Sequence, residues 1–301
     1  MQHTIRIGTR ESQLAVWQAN LVKEKLADNG IPSELVFIKS DGDIDLTTPL
    51  YQMGVQGIFT RSLDIALLQN RIDIAVHSMK DVPTQLPTGI IQAAVLERGP
   101  VHDLLVHKTD TTFISDKEIS ANIATSSIRR KAQWLHRYPN HTIHNLRGNV
   151  NTRLRKLEEQ NWQGAIFALA GLERINLRPK NSVILDWMLP APAQGAIMVV
   201  CRENDAEVFE ACNPLDHEIT SMCTRIERDF LKTLMGGCST PISGLAILDS
   251  DSILFKGNIL SPDGKQLAEI DKKIPVDEAG EMGIMAAKEI LETSRELIGL
   301  Q

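Results

Sequence analysis

Aromatic side chains are scarce in this chain of 301 residues: seven Phe, two Tyr and four Trp make up 4% of it. That scarcity argues against base stacking on exposed rings, and a formal net charge of −6 argues against a general nucleic-acid binder. No apolar run approaches membrane-spanning length. The start, Met1-Gln2-His3-Thr4-Ile5-Arg6, enters a strand pattern without the apolar core of a signal peptide. The expectation is a cytoplasmic protein with no nucleic-acid and no membrane partner. Cysteine is sparse too. Four stand at 201, 212, 223 and 238, no pair in C-x-x-C spacing and no histidine spaced to complete a zinc site. No metal is expected, and a reducing cytosol disfavours disulfides.

One absence is local. Residues 128–157 contain no Asp or Glu but carry Arg129, Arg130, Lys131, Arg137, Arg147, Arg153, Arg155 and Lys156. A charge run is usually a solvated helix face, and Lys131, Arg137, Arg155 and Lys156 are read that way. Arg129 and Arg130 differ. They follow Thr125-Ser126-Ser127 at the start of a helix pattern, where free backbone N–H groups attract anions and cations are disfavoured. Two arginines there make sense if they share an anion.

Strand-like and helix-like segments alternate from the start: Thr4 to Gly8, Ser12 to Asp28, Glu34 to Lys39, Phe59 to Asn70, Ile72 to His77 and Ile90 to Leu96. A second alternating unit runs from Asp103 to a short helix ending near Arg178-Pro179. Such alternation implies mostly parallel sheets. The stretch Leu189 to Gly195 reads as a second connection, and the apolar strand after it, Ala196 to Cys201, is able to rejoin the first sheet. The chain then crosses twice between two domains, which makes a hinge and a cleft suited to a ligand. After a long helix, His217 to Leu234, strand runs at 242–248, 252–259 and 266–270 with turn signals between them give a small antiparallel sheet, closed by a helix from Val276. The expected fold is α/β: two α/β domains joined by a double-crossing hinge, plus a small C-terminal α+β domain. The expected boundaries are 1–98 with 194–214, 99–193, and 215–301.

Polar groups follow five strands, at 9–12, 77–81, 125–130, 147–153 and 170–174, with Arg10, Ser12, Arg147 and Arg174 among them. Ligands bind outside the carboxyl ends of strands in open α/β sheets, so the pattern points to one site for several carboxylates or phosphates. Asp81 follows Lys80 after the second of these strands; its carboxylate is either a turn former with Pro83 or a group that stabilises a developing cation or moves a proton. His77 is expected to orient this loop rather than to catalyse. Cys238 stands in Gly236-Gly237-Cys238-Ser239-Thr240-Pro241, a constrained turn after a long helix. Cys201 reads as a small core residue, whereas a thiol on a Gly-Gly loop is more often reactive or covalently occupied.

These motifs together resemble porphobilinogen deaminase (hydroxymethylbilane synthase). They are Ile7-Gly8-Thr9-Arg10-Glu11-Ser12, Asp73 to Pro83, Ala124-Thr125-Ser126-Ser127-Ile128-Arg129-Arg130, Leu146-Arg147-Gly148-Asn149-Val150 with Thr152-Arg153-Leu154, Ala170-Gly171-Leu172 with Arg174, Gln194-Gly195-Ala196 and Gly236-Gly237-Cys238, in the family's order over nearly the whole chain. The resemblance implies three domains, two of them like the lobes of periplasmic binding proteins, and a monomer. It also implies a covalent dipyrromethane cofactor, with Cys238 matching its thioether position. On that primer four porphobilinogens are joined head to tail, with loss of ammonia, into a linear tetrapyrrole. Asp81 matches the catalytic acid that stabilises the electron-poor azafulvenium. Lys80, Asp81, Thr125, Ser126, Ser127, Arg129, Arg130, Arg147 and Gly148 match cofactor-binding positions, and Arg10, Ser12, Arg147, Arg153, Arg174 and Gln194 match substrate-binding ones. Gln52, Gln56 and Ser62 depart from the family's mobile-loop pattern, where Lys, Lys and Glu are common; the activity is expected to survive with its rate or chain handling altered. A competing reading, from a different class, is a non-catalytic two-lobed anion-binding module, which gives no reason for Cys238 or for Asp81 beside Lys80.

Overall fold

The computed structural model describes residues 4–39, 60–108, 110–234 and 240–294. In chain order the elements are β1 (Ile5–Thr9), α1 (Gln13–Asp28), β2 (Ser33–Phe37), α2 (Arg61–Leu68), β3 (Ile74–Ser78) and β4 (Ile90–Val95). Then come β5 (Asp103–His107), α3 (Thr112–Ser115), β6 (Asn122–Ala124), α4 (Ile128–Arg137), β7 (Thr142–His144), α5 (Val150–Glu159), β8 (Gly164–Ala168), α6 (Leu169–Arg174) and β9 (Ser182–Leu185). The chain ends with β10 (Ile197–Arg202), α7 (Ala206–Cys212), α8 (Glu218–Leu234), β11 (Ile242–Asp249), β12 (Ser252–Leu260), β13 (Leu267–Pro275) and α9 (Met282–Ser294).

The chain falls into two compact units. The described residues of the first are 4–39, 60–99 and 195–222; those of the second are 100–108, 110–194, 223–234 and 240–294. The connectivity therefore passes out of the first unit after Gly99 and returns at Gly195.

In the first unit a five-stranded sheet has the order β2-β1-β3-β10-β4. Strand β10 is the apolar segment after the second crossing. It rejoins this sheet between β3 and β4, buried from Ile197 to Cys201. The pairing is mixed rather than mostly parallel: β1 is parallel to β2 and β3, whereas β10 runs antiparallel to β3 and β4. Helix α1 starts where the Ser12 hydroxyl accepts from the Ala15 N–H, and it buries Gln18, Ala19, Val22 and Leu26. Their spacing puts one face of the helix on a core of Ile5, Ile7, Ile74, Val76 and Val199.

The second unit holds a sheet of order β7-β6-β8-β5-β9. It too is mixed, β6 being parallel to β7 and β8 while β5 is antiparallel to β8 and β9. Period-two alternation splits its side chains between two cores. Leu104, Val106, Ala165 and Phe167 face one side, and Leu105, Ile123 and Ile166 face the other with Trp134 and Tyr138. The same unit contains the antiparallel meander β11-β12-β13. Gly257 on β12 leaves room for Phe230 of α8, whose Cζ would stand 2.6 Å from any Cβ there. The Phe230 and Phe255 rings meet edge to face at 5.0 Å.

Candidate functional site

Each five-stranded sheet brings the ends of parallel strands together. In the first unit β1 and β3 are parallel neighbours, so the residues after Thr9 and after Ser78 emerge at the same edge. A pocket there is lined by Arg10, Ser12, Gln18, His77, Ser78 and Asp81, among others. Thus Arg10, Ser12 and Asp81, far apart in sequence, share one cavity. Met79–Asp81 form a single 3-10 turn, which Val82 leaves in an extended conformation before Pro83. Met79 anchors the turn by its burial, Lys80 is half-buried, and Asp81 is exposed.

Sequence reasoning gave little weight to three of the residues lining this pocket. His77 is only 6% exposed, and its Nε2 has no hydrogen-bond partner. Burial first, and the charge of Arg10 second, push its pKa down to about 4, so the imidazole is neutral at physiological pH. Gln18, buried on α1, donates from Nε2 to Ser78 Oγ at 2.8 Å. A glutamine on the core face of a helix and a serine ending an apolar strand were the available signals.

In the second unit β6 is parallel to both β7 and β8, so the segments after Ala124, His144 and Ala168 share an edge. Ser127 caps α4, its Oγ accepting from the Arg130 N–H at 3.4 Å, and Thr125 Oγ1 accepts from the Ser127 N–H at 3.3 Å. Ser126 ties this turn to the next one: its Oγ accepts from the Leu146 N–H at 2.9 Å and lies 2.6 Å from Asn145 Oδ1. Asn149 caps α5. Gly148 precedes it at φ +113°, and a Cβ at 148 would stand 2.7 Å from Thr152 Cγ2. Arg153 donates from Nε to the Gly148 carbonyl at 2.7 Å, bracing that turn. Arg147 is buried. Arg174 ends α6, and burial brings its pKa down to about 10.

The anion that Arg129 and Arg130 share is Asp103, the first residue of β5. Its carboxylate is fully buried. Oδ2 accepts from Arg129 Nη2 at 2.7 Å; Oδ1 accepts from Arg130 Nε at 3.0 Å, Arg130 Nη2 at 2.7 Å and Gln194 Nε2 at 2.9 Å. Arg129 also donates to the Leu189 carbonyl and Arg130 to that of Ile166. Gln194, 1% exposed, donates a second bond to the Val101 carbonyl. Burial draws the Arg129 pKa down while the charge of Asp103 opposes the shift. Two guanidiniums and one carboxylate leave a net charge of +1, and Arg129 Nε is buried without a hydrogen-bond partner. The arrangement can hold a further carboxylate.

The four cations read as surface residues behave differently from one another. Lys131 is exposed and Lys156 is half-buried, Arg155 pairs with Glu159 one helical turn on, and the Arg137 guanidinium lies 4.7 Å from the centroid of the Trp187 ring. Cys201, Cys212 and Cys223 are buried, and burial pushes the first two thiols up to about 11 and about 12. Cys238, Gln52 and Gln56 lie outside the described residues, while Ser62 stands in α2. No group of side chains able to hold a metal ion occurs among the described residues, and none of their helices is long and apolar enough to cross a membrane.

The sequence matches two family descriptions. Residues 5–210 match "Porphobilinogen deaminase, dipyromethane cofactor binding domain" and residues 221–292 match "Porphobilinogen deaminase, C-terminal domain". The chain is 43% identical over 283 residues to the rice (Oryza sativa subsp. japonica) protein named porphobilinogen deaminase, chloroplastic, covering 91% of this chain and 78% of that one. It is 45% identical over 279 residues to the pea (Pisum sativum) protein of the same name, covering 89% and 75%. Among solved structures it is similar to the methionine binding protein MetQ, at a TM-score of 0.44 and 15% identity over 70% of this chain and 89% of that one. A likeness that loose carries no argument about function.

Proposed function

The chain belongs to the porphobilinogen deaminase family, and from that premise we propose roles for the residues described above. The family activity is the head-to-tail polymerisation of porphobilinogen in tetrapyrrole biosynthesis, on a dipyrromethane cofactor. The observation that carries the site assignment is the pocket in which Arg10, Ser12 and Asp81 meet.

When bound, the dipyrromethane supplies a nucleophilic pyrrole α-carbon. Its acidic side chains fit the donors of the second unit: the capped start of α4, the +1 cluster around Asp103 with its unpartnered Arg129 Nε, and Arg147. Thr125, Ser126, Ser127, Arg129, Arg130, Arg147, Gly148 and Lys80 hold it in this reading, and Cys238 is its thioether anchor. Support for Cys238 comes from the other three cysteines, which are buried, two with thiols too basic to ionise near neutrality. Arg10, Ser12, Arg147, Arg153, Arg174 and Gln194 take the carboxylates of the incoming porphobilinogen. For Gln194 the role is indirect, because its amide nitrogen donates to the Val101 carbonyl and to Asp103; it orients the counterion of the arginine pair. Asp81, exposed at the pocket, stabilises the cation that forms on the substrate as ammonia leaves. The division into domains 1–98 with 194–214, 99–193 and 215–301, a cytoplasmic location and a monomeric state belong to the same reading; the rice and pea relatives are named chloroplastic.

Intact-protein mass tests the reading. The purified protein should exceed its sequence mass by two pyrrole units and redden with an acidic aldehyde reagent; Cys238→Ser should lose both signals. Asp81→Ala should keep the fold and the added mass while losing nearly all turnover. A mass equal to the bare sequence, with reversible binding of small polycarboxylates, would leave the anion-binding module standing instead.

A further inference from the structure

Building on that reading, we propose that His77 is a substrate-positioning residue whose Nε2 hydrogen-bonds a carboxylate of the incoming pyrrole in the pocket lined by Arg10 and Ser12. The starting observation is an exception to a strong rule. Buried polar atoms are almost always hydrogen-bonded, yet Nε2 of His77 is buried with no partner. His77 sits on an interior strand, opposite Met198 of β10, after the buried apolar run Ile74-Ala75-Val76. An apolar residue would fill that position without stranding a nitrogen. The same side chain lines the pocket, so a ligand entering there can supply the missing partner.

The surrounding chemistry selects the ligand. Arg10 and Ser12 line the cavity with His77, and Gln18 fixes Ser78 by donating to its hydroxyl oxygen. Because burial and the Arg10 charge keep the imidazole uncharged, His77 adds a hydrogen bond without adding a second positive charge. A carboxylate accepts from a guanidinium and from a neutral imidazole N–H at once. Asp81 lines the same cavity; the charge of the ligand carboxylate is met by Arg10, and His77, a neutral donor, contributes direction rather than charge. His77 thereby orients the substrate by one of its acid arms.

The test uses the cofactor-loaded enzyme. His77→Phe keeps the bulk and removes the nitrogen; His77→Gln restores a neutral donor. With porphobilinogen as substrate, H77F is expected to raise KM at least tenfold, the loss of one charge-assisted hydrogen bond, with kcat within threefold of the parent and H77Q recovering most of the loss. A smaller KM rise in H77F, or a loss confined to kcat, overturns the proposal. Retention of the two-pyrrole mass increment in both variants separates a failure of this inference from a failure of the deaminase reading. If H77F does not fold, the wild-type protein decides. Its His77 Nε2 resonance, assigned by correlation to the backbone in a 15N-histidine sample, should shift on saturation with a pyrrole carrying acetate and propionate arms but no aminomethyl group. An unmoved resonance overturns the proposal.

Discussion

Replacing Asp103 by Asn should destabilise the second unit by about 3–5 kcal/mol, the cost of removing one partner from a buried charge cluster. The hydrogen bonds show where the loss falls. Oδ1 accepts from Arg130 Nε, Arg130 Nη2 and Gln194 Nε2, while Oδ2 accepts from Arg129 Nη2. An asparagine can keep its carbonyl toward Arg130 and Gln194. Its amide NH2 then faces the Arg129 guanidinium, a donor against a donor, at a site 2.7 Å from Nη2 in the parent. The penalty is therefore a stranded cation at Arg129 rather than a uniform weakening. Urea unfolding followed by tryptophan emission reports on this region, because Trp134, Trp162 and Trp187 all belong to the second unit. Two checks accompany the midpoint. Arg129→Met should cost less in the D103N background than in the parent, since the stranded charge is then removed. Added succinate should stabilise D103N more steeply than the parent, because two buried guanidiniums lack their internal anion. A change below about 1 kcal/mol with additive double-mutant energies would mean that Asp103 is not the counterion in solution, and the charge argument would fall with it.

Gly148→Ala should cost about 1–3 kcal/mol, since an L side chain is strained at φ +113° and its Cβ meets Thr152; thermal unfolding reads the cost, and a raised KM for porphobilinogen reads the displaced neighbour Arg147. Thiol counting with an aromatic disulfide should find no fast thiol in the folded, cofactor-loaded protein and one in the cofactor-free protein, with three and four respectively after unfolding, because Cys201, Cys212 and Cys223 are buried. Asp73 sets an acid limit. Burial by itself would raise its carboxyl, but hydrogen bonds from Arg6 and Arg202 outweigh burial and hold it well below the usual carboxylate range. A depressed folded-state value means this stabilisation is complete above the unfolded value of about 4 and is lost as pH falls through the folded one. Acid titration of stability should show that loss in the parent and not in Asp73→Asn.

Much of the fold can be read from apolar patterning, and what cannot be read has a common physical cause. The runs at 5–9, 74–78 and 197–202 announce buried strands because burial is a one-dimensional signal. Strand direction is not. Ile197 to Cys201 is equally apolar whichever way its neighbours run, so the antiparallel placement of β10 between β3 and β4 left no mark on its periodicity. Helix α7 escaped because Asn204-Asp205-Ala206-Glu207 looks like a polar turn; its signal is the Asp205 cap, whose side chain accepts from the Val208 N–H. Strand β9, at one edge of the second sheet, carries too few residues for alternation to show.

The arginine pair shows the limit for the site. Counting charge along residues 128–157 finds cations and no acid, and concludes that an outside anion is needed. The sheet supplies one from 26 positions upstream, because β5 ends up beside β8, which in turn lies next to the strand that leads into α4. Local charge counting cannot see a partner brought by strand order. The internal anion also makes physical sense of the site. Two guanidiniums in the first turn of a helix repel each other and oppose its dipole, so without Asp103 the unit would have to hold them uncompensated until a ligand arrived. One carboxylate lets the chain fold first and leaves a single positive charge to be satisfied by binding. It follows that substitutions at Arg129 or Arg130 perturb folding and ligand affinity together. Kinetic losses in such variants measure binding only after the stability of each has been measured alongside.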